Sequence, residues 1–180
     1  MPTDSKLHKA CNSGSLDEVK ELVQTIDVNK AGAAERTPLH RAVGKNYSEI
    51  AEFLISKGAD VNKADKSGRV PLHWACIGGH VECCKILLSN NVNVNAQTKS
   101  GMSPFHGAAE GGCIEVVKEL LDYHLKKTGA GAEGVNWTLE DGDGKTGFQL
   151  AKQNNHKAIL NLFKGQKIPG VSKSDVCTVM

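Results

Sequence analysis

Thr37-Pro38-Leu39-His40-Arg41-Ala42 decides the fold, because the same phrase returns twice at a fixed interval. It reappears as Val70-Pro71-Leu72-His73-Trp74-Ala75 and as Ser103-Pro104-Phe105-His106-Gly107-Ala108, each time 33 residues on. A second marker keeps the same beat: Val28-Asn29, Val61-Asn62 and Val94-Asn95, again 33 apart. Two markers locked to one period define a repeat array. Each unit is too small to bury its own apolar face, so at least three must stack.

The residues within one period predict a helix pair and a turn. Pro38 suits the first helical position, where a missing N–H costs nothing. Thr37 before it can cap the helix with its hydroxyl. Leu39, Ala42 and Val43 share one helix face. Glu49 to Ile55 reads as a second helix with Ile50, Phe53 and Leu54 inward. Gly58 supplies the left-handed residue that ends it. Asp65-Lys66-Ser67-Gly68 is turn chemistry.

This pattern resembles the ankyrin repeat. The resemblance rests on the Thr-Pro-Leu-His start, on Gly79-His80-Val81-Glu82 in the middle, and on Gly58-Ala59-Asp60-Val61-Asn62 at the end. It covers roughly residues 5–164 and implies an all-α repeat: an ankyrin-repeat solenoid of about five helix-turn-helix units with β-turn fingers. The units start near Ser5, Thr37, Val70, Ser103 and Thr146. The last step, 103 to 146, is 43 residues, which places an insertion at about 124–134 and two further residues in the following finger. Polar residues on the outer units (Lys6, Lys9, Asn12, Asp17 and Lys20; Lys152, Gln153, Asn154, Lys157 and Asn161) read as caps. We therefore expect one complete capped domain. Val70 in place of a capping Thr should cost about 1 kcal/mol. Gly147 and Gln149, in place of Pro and His, suit a fraying terminal unit.

Composition narrows the functional classes. A net charge of +2 over 180 residues does not call for a nucleic-acid partner. No apolar stretch is long enough to cross a membrane, and the N-terminus carries no signal-peptide pattern. Cys83, Cys84, Cys76 and Cys11 fall on core positions of the repeat, where reduced cysteine serves as a small hydrophobe. The expected compartment is reducing, the cytoplasm or nucleus. No C-x-x-C pair offers a metal site, and no cofactor is expected.

Three motifs resemble chemistry. Gly129-Ala130-Gly131-Ala132-Glu133-Gly134 matches G-x-G-x-x-G, but the dinucleotide fingerprint needs a strand before it and a helix after it. Here a helix over 116–127 precedes and a finger follows, so the segment reads as a flexible insertion loop. Asp141-Gly142-Asp143-Gly144-Lys145 lacks the fifth and sixth residues of a calcium loop and reads as an acidic finger turn. His40, His73 and His106 are one position repeated, and the resemblance implies that they stitch neighbouring units by hydrogen bonds. No nucleophile–base set stands outside the repeat, so an enzyme is not expected.

Residues 165–180 read as a flexible tail. It closes in Cys177-Thr178-Val179-Met180, a C-a-a-X tetrapeptide whose Met favours farnesylation of Cys177. A single lipid chain binds membranes only marginally, with K of about 10⁴ M⁻¹ for myristoyl. Lys164, Lys167 and Lys173 would add about 1 kcal/mol each at an anionic surface. The alternative is an accidental cysteine in an inert tail.

In ankyrin-like arrays, finger tips and inner helices meet partners. The non-consensus residues there are Ala33, Ala34, Arg36, Arg41, Lys45, Lys66, Arg69, Trp74, Ile77, Lys99, Met102 and Glu110. Trp74 has hot-spot composition with its neighbouring arginines. Gly107, one repeat on, is expected to leave a groove beside the indole. Packing between repeats is the other role open to Trp74. Arg36, Lys63, Lys66, Arg69 and Lys99 make a basic run, and Glu133, Glu140, Asp141 and Asp143 an acidic finger. The resemblance further implies hydroxylation at Asn62 and Asn95, which have Val before them and Leu eight residues earlier. The expectation is a monomeric, non-enzymatic protein-binding scaffold or adaptor, cytoplasmic and reversibly held to a membrane by its lipid. A wholly soluble adaptor, assembly chaperone or inhibitor is the rival.

Overall fold

The computed structural model describes residues 3–177. Eleven α-helices occur among them: α1 (Lys6–Ser13), α2 (Leu16–Leu22), α3 (Pro38–Gly44), α4 (Ser48–Ser56), α5 (Pro71–Gly78), α6 (Val81–Leu88), α7 (Pro104–Glu110), α8 (Ile114–Gly129), α9 (Gly147–Gln153), α10 (Lys157–Phe163) and α11 (Lys173–Val176). Helices α1 and α2, α3 and α4, α7 and α8, and α9 and α10 pack as pairs, and the class is all-helical repeat. A lone antiparallel bridge, Glu140 with Thr146, is the only β pairing among the described residues. The chain forms two compact units, Met1–Ala75 with Glu82–Asn93, and Cys76–Val81 with Val94–Met180.

In the first unit, α1 packs on α3, and each pairs with the helix after it. The core is Leu7, Cys11, Val19, Leu39, Val43, Ile50, Ala51, Leu54, Leu72, Cys83, Cys84 and Leu87. Ala51 takes the inward place expected of Phe53. The stripe through Ile50 and Leu54 leaves Phe53 at its edge, half-exposed, with the Lys57 ammonium 5.4 Å from its ring. Burial pushes the thiols of Cys11 and Cys83 up to about 12 and about 11, so both stay protonated and apolar in character.

The recurring histidines explain both cap and stacking. The Thr37 hydroxyl accepts from the His40 amide at 3.5 Å, and the Thr37 amide donates to His40 Nδ1 at 3.0 Å. From one repeat to the next, His40 Nε2 lies 3.0 Å from the Arg69 carbonyl. An amide can only donate and a carbonyl only accept, which assigns the proton to Nε2. His8 repeats the arrangement between the Ser5 amide and the Arg36 carbonyl, 3.2 and 2.9 Å. Asparagines form a second rung. Asn29 accepts from the Asp60 amide at 2.7 Å and donates to the Gly58 carbonyl at 3.0 Å. Gly58 ends α4 at φ +87°, as predicted.

The fingers use one device with different residues. Asp65 accepts from the Ser67 and Arg69 amides at 2.8 and 3.0 Å, and Gly68 turns the chain at φ +82°. In the preceding finger, Gly32 stands where Asp65 does, and Glu35 stands where Gly68 does, at φ +59°. Asp4 comes in from the N-terminal segment to accept from the Ala33 amide at 2.8 Å.

The second unit is built on aromatics. Phe105 meets Trp137, Phe148 and Phe163 at centroid distances of 4.8, 5.1 and 6.1 Å. His106 again caps, with the Ser103 amide 3.1 Å from Nδ1, and stitches to the Lys145 carbonyl at 2.9 Å. Helix α8 runs to 16 residues because Val117, Leu120, Leu121 and His124 extend its apolar stripe. It occupies the first half of the expected insertion and takes in Gly129.

Two expectations need correction. The last repeat does not read as frayed at its start. The Gln149 amide oxygen accepts from the Thr146 amide at 2.7 Å, taking over the Nδ1 half of the histidine's work. Gly147 is required: a β-carbon there would lie 2.5 Å from Phe105 Cδ1. Nor does the described part of the tail stand free. Ile168 and Val176 are buried, and α11, capped by Ser172, packs on α9 and α10.

Candidate partner-binding surface

Within the first unit the finger before α3, the helix α3 and the start of α5 bring four expected contact residues together. Arg36, Arg41, Lys45 and Trp74 line one cleft of about 310 Å³, with Asn12, His40 and Gly44. The Arg36 guanidinium lies 4.3 Å from the Trp74 ring centroid, and Arg69 lies 5.5 Å from it. Cation–π contacts of this kind contribute about 0.5–1 kcal/mol when exposed and more when desolvated. They hold a half-buried indole in place.

The electrostatics of the cleft are partly balanced. Arg41 pairs with Asp4 at 2.8 Å. Burial alone would raise the Asp4 carboxyl, but the Ala33 amide and the Arg41 guanidinium hold it below the ordinary range. Arg36 Nε lies 3.7 Å from the buried Asp65 carboxylate, an ion pair too long for a hydrogen bond. Burial drives the His40 imidazole down to about 4, so it is neutral, and both of its nitrogens are occupied. Arg36 Nε, Arg41 Nε and Trp74 Nε1 are shielded N–H groups without an acceptor. An unmet buried donor costs about 1–3 kcal/mol, and no carboxylate lines the cleft.

Other expected residues are placed as follows. Lys66 and Lys63 are exposed in the same unit, and the Lys66 amide donates to the Ala34 carbonyl at 2.9 Å. In the second unit Ile77, Lys99 and Glu110 are exposed and Met102 is half-buried. Gly107 leaves no groove. A β-carbon there would sit 2.7 Å from Ile77 Cγ1, because Ile77 covers it. The glycine beside the indole is Gly44, where a β-carbon would lie 3.4 Å from Trp74 Cε3. Sequence reading also missed Asn12 and Asp4, which the register of the array could have indicated. The Asp141 carboxylate of the acidic finger is committed to the Asp143 and Lys145 amides, both at 2.9 Å.

Asn62 donates to the Asn91 carbonyl at 3.3 Å and accepts from the Asn93 amide at 2.7 Å. Asn95 holds the Gly134 carbonyl and the Asn136 amide at 3.0 and 2.7 Å. Cys177 is exposed with a free thiol, and Thr178, Val179 and Met180 lie outside the described residues. No described helix is long and apolar enough to cross a membrane.

The family model of ankyrin repeats (three copies) matches residues 3–65 and 62–130, and the chain belongs to that family. Curated relatives share single stretches with it. Over 64 residues it is 42% identical to a probable 26S proteasome regulatory subunit p28 of Saccharomyces cerevisiae, covering 32% of this chain and 28% of that protein. Over 54 residues it is 46% identical to human protein phosphatase 1 regulatory subunit 27, covering 29% and 35%. Over 61 residues it is 38% identical to palmitoyltransferase AKR1 of Candida glabrata, covering 32% and 8%. The matched stretches thus span about a third or less of each relative.

Proposed function

We propose that this protein is a non-enzymatic interaction module, a scaffold or adaptor whose protein partner meets the Trp74 face. The observation that carries the reading is an indole with two guanidinium groups over its ring, beside a cleft that no carboxylate lines. Trp and Arg in such settings dominate binding energy. Two of the relatives named above are regulatory subunits, which favours a binding role over a catalytic one. Cross-linking capture with wild type and with Trp74→Ala plus Arg69→Ala tests this. Loss of a hot spot should weaken the specific partner by at least about 2 kcal/mol, roughly thirtyfold. Recovery of the same proteins by both forms would reject the surface. A steep salt dependence of binding to duplex DNA would instead favour a nucleic-acid role.

The finer reading adds a farnesyl group on Cys177 and reversible attachment to a membrane. It is supported by the exposed thiol and by exposed Lys164, Lys167 and Lys173 on the same segment. It holds for a protein whose natural C-terminus is Met180. Labelling with a prenyl analogue should mark wild type and not Cys177→Ser. Equal labelling of both would reject Cys177 as the site, and no labelling would leave a wholly soluble adaptor, assembly chaperone or inhibitor. Hydroxylation of Asn62 and Asn95 is a separate proposal. Both side chains are committed to neighbouring segments, so a hydroxylase would act on an opened turn. Mass spectrometry of native peptides for one added oxygen tests it.

A further inference from the structure

We propose that the cleft beside Trp74 receives a carboxylate side chain from an acidic segment of the partner. This rests on the interaction-module reading and gives its occupant a chemistry. The cleft holds about 310 Å³, at the low end for a binding site, which is room for one or two side chains. Its polar lining is Asn12, Arg36, Arg41 and Lys45, and its apolar wall is Trp74 over Gly44. No carboxylate lines it. His40 offers no donor, because Nδ1 takes the Thr37 amide and Nε2 serves the Arg69 carbonyl. An alkyl stem against the indole would set its carboxylate among the guanidinium groups, where charge-assisted bonds are strongest.

The charge balance calls for an anion. Arg36, Arg41 and Lys45 are opposed by Asp65 and Asp4, which pair with the two arginines at 3.7 and 2.8 Å. Arg69, 5.5 Å from the indole, adds a fourth cation, so two net positive charges remain. That surplus favours an acidic occupant, and about 310 Å³ has room for a carboxylate side chain but not for a nucleic-acid backbone.

The two tryptophans make a direct test. Trp137 is buried in the aromatic cluster of the second unit and serves as the internal control. The full-length protein, isotope-labelled at nitrogen, is titrated with a short peptide of alternating glutamate and glycine. Matched glutamine and phosphoserine peptides and a DNA duplex complete the set. The glutamate peptide should move the Trp74 indole N–H signal and leave that of Trp137 in place. The glutamine peptide should bind at least about tenfold more weakly, the loss expected for one charged contact. Arg36→Gln should weaken the glutamate peptide by a similar factor. Lys45→Glu, an exposed change that leaves the fold alone, should do the same. Equal binding of glutamate and glutamine peptides would overturn the proposal. So would tighter binding of phosphoserine or DNA, or an unmoved Trp74 signal. If the carboxylate fails while Trp74→Ala plus Arg69→Ala still loses captured proteins, the module stands and its acidic occupant falls. If the captured set is also unchanged, the surface itself is wrong.

Discussion

Glu35 shows how a single position can depart from its own repeat. The equivalent finger residues are Gly68, Gly101 and Gly144, at φ +82°, +75° and +72°. Glu35 holds the same left-handed conformation at +59° with a β-carbon and an exposed side chain. Left-handed backbone costs an ordinary residue about 1–2 kcal/mol, partly offset by the entropy a glycine would lose. Glu35→Gly should therefore stabilise the protein by about 0.5–1 kcal/mol in urea denaturation; no change would mean that the finger relaxes freely. Gly147 is the opposite case. Phe105 is fixed among three other aromatic rings and cannot retreat from an added methyl group. Gly147→Ala should lose about 1–3 kcal/mol by the same measurement. Neither effect was legible from the repeat pattern. The first needs the backbone angle, and the second needs to know what lies opposite.

At the scale of elements, the caps and helix pairs were readable because each depends on residues within four positions of one another. Thr37 and His40, or Ser103 and His106, carry their geometry in their spacing. The tail was not readable in that way. Its apolar residues, Ile168 and Val176, are too few to make a periodic signal, and their burial depends on surface left open by α9 and α10. Ile168→Ala should cost about 2 kcal/mol locally. Hydrogen exchange at amides of 170–176 should then quicken while that of α3 and α4 stays unchanged. Unaltered protection in 170–176 would mean that α11 is held by its Ser172–Asp175 cap alone.

For the molecule as a whole, the buried histidines set the response to acid. His40 is lowered to about 4, and His8 and His124 are lowered too, in each case chiefly by burial. The unfolded chain takes up protons below about 6.5, while folded His40 stays neutral until about 4. Stability is thus complete above about pH 6.5 and falls as the pH drops toward 4. His40 alone accounts for roughly 3 kcal/mol of that loss. Urea midpoints between these limits should show the decline, and His40→Gln should flatten it while lowering stability at neutral pH. A pH-independent midpoint would contradict it. The class of fold, the 33-residue period, the helix caps and the identity of Trp74 as an outlier were legible in the sequence alone, since a periodic signal repeated several times over needs only local chemistry to read. Tertiary structure alone decided that Gly44, not Gly107, lies beside the indole, that Asp4 reaches Arg41, and that three N–H groups around the cleft lack acceptors. Each of those facts depends on which side chains, distant in the chain, fill the same space, and a repeat records its period without recording what its exceptions will touch.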